Sequence, residues 1–280
     1  MHRRSITLCM FLTLGTLFAF AADKTQPAAK LTAAEIVDKN VAARGGLKAW
    51  RAVQTISMKG KIDAGPSTRP KLSPQIRKSS RQVSPKIAPA PPVEQVQLPV
   101  LIEMKRSHKS RMEIQFKGQT AIQAFDGTNG WKFRPYLNRK DIEPFTPDEL
   151  KSASKQAELD GSLIDYKAKG SKVELVGTEK VGERDTYKLA LTTSDGQVQH
   201  IWIDAVNFLE VKAEGVPRKL DGKMHAVDIY YDEFRPSPGG LVLPYVLETR
   251  VEGLKTTEKI EIESVLVNPK LEDSLFVQPK

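Results

Sequence analysis

Outside the N-terminal stretch the chain holds three histidines, His108, His200 and His225. They are the first side chains to weigh for acid–base or metal chemistry. A catalytic or structural zinc takes three or four ligands from His, Cys or carboxylate. No His-x-x-x-His or His-x-His pair occurs here, and no carboxylate spacing supplies the missing ligands. Carboxylates such as Asp228 with Asp232, or Glu261 with Glu263, fall on exposed strand faces, and two acids from distant strands could in principle cleave a glycoside. Sugar sites also want several aromatic rings, and aromatics make up only 7% of the chain. No Gly-x-Ser-x-Gly elbow, phosphate-binding loop or dinucleotide glycine fingerprint is present. The single cysteine, Cys9, lies in the N-terminal apolar run, so thiolate chemistry and disulfides drop out with it. No catalytic residue, metal ligand or cofactor is assigned, and an enzyme is not expected.

Apolar surface is the remaining candidate. Strand-length segments that alternate apolar and polar residues bury one face and leave the other to solvent. Two such runs stand out, Met112/Ile114/Phe116 and Tyr187/Leu189/Leu191. Met58, Ile102, Met104, Trp131, Phe133 and Trp202 add bulk at comparable positions. These twelve residues are the candidate lining of an apolar cavity for acyl chains. The alternative, that they fill a closed core, stays open on the sequence alone. Each buried methylene contributes about 0.8 kcal/mol, so acyl chains need few polar contacts to bind. Methionines suit a wall that adapts to its guest, because the unbranched thioether repacks at low cost.

The elements that would position such a wall are legible in order. Residues 1–21 read as a secretory signal peptide, with Arg3 and Arg4 before an apolar run and Ala19-Phe20-Ala21 as a cleavage pattern. A linker over 22–30 and one domain over 31–280 follow, which places the protein in the periplasm. Thr32 with Glu35 forms a capping box for a helix that pauses at Gly45-Gly46. A first strand covers Thr55 to Ile62. The stretch from Ala64 to Pro99 then holds eight prolines and reads as an unpaired insertion over 64–98. Its basic residues Arg69, Lys71, Arg77, Lys78, Arg81 and Lys86 serve first to keep such a loop soluble; as a binding feature they would meet anionic lipid headgroups or an acidic envelope protein rather than nucleic acid.

Further strands are expected at Val100 to Arg106, Arg111 to Lys117, Gln119 to Phe125 and Trp131 to Pro135. A helix starts at Thr146-Pro147-Asp148-Glu149 and runs to about Leu159, with a second short piece at Leu163 to Tyr166. The remaining strands are Val173 to Thr178, Thr186 to Thr192, Val198 to Asp204, Leu209 to Glu214, Lys223 to Phe234, Leu243 to Val251 and Lys255 to Val267. Short turns impose antiparallel pairing. The expected fold is α+β and mainly β: a curved antiparallel sheet of about 11 strands in a half-open barrel, with an N-terminal helix and one or two short helices as a lid.

Three groups of residues carry a family resemblance. They are Ala34-Glu35-Ile36-Val37 with Gly45-Gly46-Leu47, Trp50 and Met58-x-Gly60; Phe125-Asp126-Gly127 with Gly130-Trp131 and Pro135; and the ending Asn268-Pro269-x-Leu271-x-Asp273-Ser274-Leu275-Phe276. In these the chain resembles the periplasmic outer-membrane lipoprotein carriers, the LolA-like proteins, as a divergent member of a superfamily that includes the LolB-type receptor and the RseB-type sensor. The resemblance implies an incomplete barrel with lid helices enclosing an apolar cavity for lipid or lipoprotein acyl chains, in a monomer. It also implies an early-strand arginine that ties the lid shut. Here the first strand offers only Lys59 and Lys61, and the next arginines are Arg106, Arg111 and Arg134, among which the resemblance does not choose. A second functional reading is an envelope sensor or scaffold with the same fold, docking a protein partner through the basic insertion.

Overall fold

The computed structural model describes residues 31–66, 95–137 and 139–279. The signal peptide and linker expected over 1–30, and residues 67–94 of the insertion, lie outside them. The chain divides into Met1–Leu31 and Thr32–Lys280, and every element below belongs to the second unit.

Six strands come first: β1 (Thr55–Pro66), β2 (Gln95–Lys105), β3 (Lys109–Phe116), β4 (Gln119–Phe125), β5 (Gly130–Phe133) and β6 (Ile142–Pro144). Next are β7 (Lys172–Val181), β8 (Arg184–Thr192), β9 (Val198–Asp204) and β10 (Glu210–Glu214). A small two-stranded hairpin, β11 (Arg218–Leu220) with β12 (Lys223–His225), leads to β13 (Val227–Ser237), β14 (Leu241–Val251) and β15 (Glu258–Val267). Thirteen of these form one open sheet in the order β6-β5-β4-β3-β2-β1-β15-β14-β13-β10-β9-β8-β7, and every pairing in it is antiparallel. The sheet is curved and mainly-β as expected, with more strands than the eleven or so that the alternation suggests. The first and last strands meet in its middle, whereas its two edges, β6 and β7, are consecutive in sequence.

Among the described residues, three α-helices accompany the sheet. α1 (Ala33–Ala43) starts on the Thr32/Glu35 capping box and α3 (Pro147–Gln156) on the equivalent Thr146/Glu149 box. α2 (Leu47–Ala52) is a single short turn-and-a-half between Gly46 and Val53, too brief for its periodicity to show in the sequence. Residues 157–170 connect α3 to β7 as turns rather than as the second helical piece expected at Leu163 to Tyr166. Asp165 there has φ +53°, a left-handed conformation that interrupts a helix.

Two other expectations are corrected. Gln95 and Gln97 to Pro99 pair with β1 instead of staying unpaired, across a register shift between Asp63 and Pro66. Pro99 is tolerated because β2 pairs with β3 only from Val100 onward, which leaves no ladder bond on that side for the missing N–H to spoil. The expected strand Lys223 to Phe234 is divided between β12 and β13, and Ile142–Pro144 adds an edge strand that three residues could not announce.

Directly paired residues share a face, and alternate residues change face. The face carrying Ile56, Leu241, Leu243, Ile262 and Val265 packs against Trp50 and Val53 of the α2 region and against Leu159 and Ile164 of the α3–β7 connection. This is the helix-bearing face. Gly60 keeps β1 close to β15: a Cβ there would stand 2.1 Å from the carbonyl oxygen of Glu261, at the register shift between Lys59 and Gly60.

Candidate functional site

Register places six of the twelve expected lining residues together. Met58, Ile102 and Met112 are directly opposite one another on β1, β2 and β3. Ile56 with Met104 lies one pair above them, and Gly60 with Val100 and Ile114 one pair below. Phe116 ends the same face of β3. Met58, Ile102, Met104, Met112, Ile114 and Phe116 are all half-buried, so they form an apolar wall that the helices do not cover completely. The sequence reading missed the wall's continuation. A row of half-buried residues, Leu98, Ile62, Ile260, Leu247 and Tyr231, runs from β2 through β1, β15 and β14 to β13 on the same face.

The other six are placed differently. Leu189 and Leu191 are on the helix-bearing face of β8 but wholly inaccessible, so they fill core rather than line a wall. Tyr187 stacks on Phe208 with ring centroids 6.2 Å apart. Trp131, Phe133 and Trp202 are on the opposite face. Trp131 pairs with Ala124 and Phe133 with Ile122, and the Trp131 indole donates to the carbonyl of Phe276, itself fully buried. The C-terminal segment therefore buries this ring. Trp202 pairs with Lys188 and Lys212, whose ammonium groups lie 4.8 and 4.3 Å from its ring centre; its indole N–H donates to Glu179. Its strand neighbours His200 and Asp204 are polar, a signal that bulk alone overrides.

The helices are tied down by charge. Arg106 follows β2 directly. Its Nε donates to the carbonyl of Val53 (2.7 Å), and its Nη2 donates to the carbonyl of Trp50 (3.0 Å) and to Asp160 Oδ2 (2.9 Å). Asp160 is almost wholly buried and also accepts from Lys169 at 2.7 Å. Arg44, at the end of α1, donates to the Asp160 carbonyl (3.2 Å) and to Glu210 Oε1 (3.0 Å), and its guanidinium covers the Trp50 ring. Arg51 makes a bidentate pair with Asp165, both bonds 2.7 Å, which holds the Asp165 carboxyl below its ordinary pKa. One sheet arginine, two helix arginines and the α3–β7 connection thus converge on Asp160 and Asp165. Beside the tie a cleft of about 100 Å³ opens among Arg106, Ser107, His108, Ala157, Glu158 and Leu159. It is smaller than a ligand pocket of several hundred Å³.

The histidines stay apart, each with its own neighbour: His108 faces Glu158 at 3.6 Å, His200 Nδ1 is 2.9 Å from Glu214, and His225 lies against Gly253. Among the described residues, no three His, Cys, Asp or Glu side chains are grouped to hold a metal ion.

No protein-family model matches the sequence, and no curated protein does. Solved structures do. A LolA superfamily protein of Nitrosomonas europaea superposes with TM-score 0.52 at 16% identity, covering 89% of this chain and 98% of that one. A DUF1329 family protein of Desulfovibrio piger gives 0.53 at 12% identity, over 88% and 97%. An outer-membrane lipoprotein-sorting protein domain of Vibrio parahaemolyticus, so described as putative, gives 0.51 at 12%, over 86% and 94%. Identities this low speak to architecture alone, and on architecture the neighbours agree: the chain has the LolA-like fold.

Proposed function

We propose that the protein is a non-enzymatic lipid-binding protein of the periplasm, holding the acyl chains of a lipid or lipoprotein against the wall of β1–β3 and releasing them to an acceptor. The observation that carries this reading is the side-by-side placement of Met58, Ile102 and Met112, apolar and half-buried, at the margin of the helix-covered core, against which Met58 packs. A sheet that merely needed a core would cover these side chains as completely as it covers Leu189 and Leu191. At about 0.8 kcal/mol per methylene, an acyl chain laid along the wall supplies affinity without a specific polar partner. The LolA-like fold supports the same reading, since the Vibrio parahaemolyticus neighbour is described as an outer-membrane lipoprotein-sorting protein domain.

The test is titration of delipidated full-length protein with a fluorescent fatty acid or lipopeptide. Saturable binding at micromolar concentration is expected, and its absence overturns the reading.

A further inference from the structure

Beside the end of the apolar wall stands a cluster of buried polar side chains, here termed the bay, in which three atoms lack hydrogen-bond partners. Asn40 lies in the last turn of α1 and Arg44 caps it one turn on, where Arg44 pairs with Glu210 at the start of β10. Asn40 is completely buried; its amide nitrogen donates to the Phe208 carbonyl at 2.8 Å. Three atoms here, Asn40 Oδ1, Arg44 Nε and Glu210 Oε2, are shielded from solvent and have no hydrogen-bond partner. Buried polar atoms are almost always satisfied, so such a group of orphans points to something that joins them. Tyr231 links bay and wall. Its ring is the last member of the row Leu98–Ile62–Ile260–Leu247–Tyr231. Its hydroxyl is pushed up to about 12 by burial and by the Glu210 carboxylate, against the pull of Arg44.

We propose that this bay receives a neutral hydrogen-bonding group of the ligand, an amide or a hydroxyl attached to an acyl chain that lies along the wall. The inference rests on the acyl-binding reading and narrows its ligand class. Charge excludes the alternatives: Arg44 and Glu210 already neutralise each other at 3.0 Å, so an ionic guest would leave an uncompensated buried charge. The orphans are two acceptors and one donor, which calls for a guest that brings its own donor hydrogen. An ester, which only accepts, can serve Arg44 Nε but neither oxygen.

Displacement of the fluorescent fatty acid by hexadecanamide and by methyl hexadecanoate, matched in chain length, tests this. The amide is expected to bind about tenfold more tightly, the worth of one net hydrogen bond. Tyr231→Phe keeps the ring, and the preference is expected to shrink to roughly threefold or less. Glu210→Gln, which keeps the shape but converts one orphan acceptor to a donor, should likewise weaken it and serves if Tyr231→Phe does not fold. Equal binding of the two probes by the unaltered protein, meaning that water alone fills the bay, overturns this inference and leaves the acyl-binding reading intact. Failure of both probes to displace the fluorescent fatty acid from a protein that binds it also overturns the inference alone. Failure of the fluorescent fatty acid itself to bind overturns both.

Discussion

Arg106 Nη2 lies 2.9 Å from Asp160 Oδ2, and through that pair three stretches far apart in sequence are joined. The arginine directly follows β2 and the aspartate lies in the connection after α3. The arginine's remaining bonds reach the α2–β1 junction at Trp50 and Val53. Asp160 is almost wholly buried whereas Arg106 keeps about a third of its side chain exposed. Losing the arginine therefore strands a buried carboxylate with only Lys169 to compensate it.

Arg106→Leu is accordingly expected to destabilise the fold by about 2–3 kcal/mol, below the full cost of breaking a buried pair because Lys169 remains. Urea unfolding measures it. Asp160→Asn should cost a similar amount, and the double variant less than the sum. Strict additivity would show that the two residues act separately.

Met112→Asp is expected to lower affinity for an acyl probe at least tenfold while costing only about 1–2 kcal/mol of stability, since the residue is half-buried rather than enclosed. Leu189→Ala should do the reverse. It opens a cavity in a site with no exposure and costs about 2–5 kcal/mol, with probe affinity of the folded fraction unchanged. Probe titration and urea unfolding on both variants give the four numbers.

Trp202→Ala is expected to leave acyl binding unaltered, because the ring is on the face away from the wall. It removes the ring shared by Lys188 and Lys212 and should cost about 3 kcal/mol of stability. A large loss of probe affinity at constant fold would return Trp202 to the binding site.

Asp273 is held by both Lys105 and Lys109 (2.8 and 2.9 Å), which lower its pKa to about 2. A carboxyl depressed in the folded state contributes fully above its unfolded pKa and loses that contribution as pH falls toward the folded value. Anchoring of the C-terminal segment should therefore weaken between about pH 4 and pH 2. Pepsin, active across this window, is expected to cut near Leu275–Phe276 at pH 2 but slowly at pH 4. Asp273→Asn should be cut readily at both. Equal protection of the two proteins at pH 4 would show that the lysines do not hold the segment.

The strands were legible because alternation of period two survives in a one-sided sheet, and both capping boxes were legible because Thr, Pro and Glu at fixed spacing have one structural use. Which face a strand turns inward was less so. Met112, Ile114 and Phe116 declare their face, since Arg111, Glu113 and Gln115 alternate with them. Trp131 and Phe133 flank a single lysine on a four-residue strand, and their cover, Phe276, arrives from the far end of the chain. Asp160 and Glu210 gave no local signal at all: a carboxylate becomes a hub only when remote arginines converge on it. Asn40 lies within a readable helix, yet the partner of its amide is 168 residues away.

Strand β1 must wait for strand β15. A polypeptide emerging from its amino end can lay down one run of hairpins and then another, each from nearby residues, but the seam between them closes only after residue 258 has appeared. Until then both halves carry an unpaired border, open to a neighbouring chain. Any truncation that removes the last strand removes the join itself, so a shortened product should assemble as two loose ribbons rather than as a slightly smaller version of the whole.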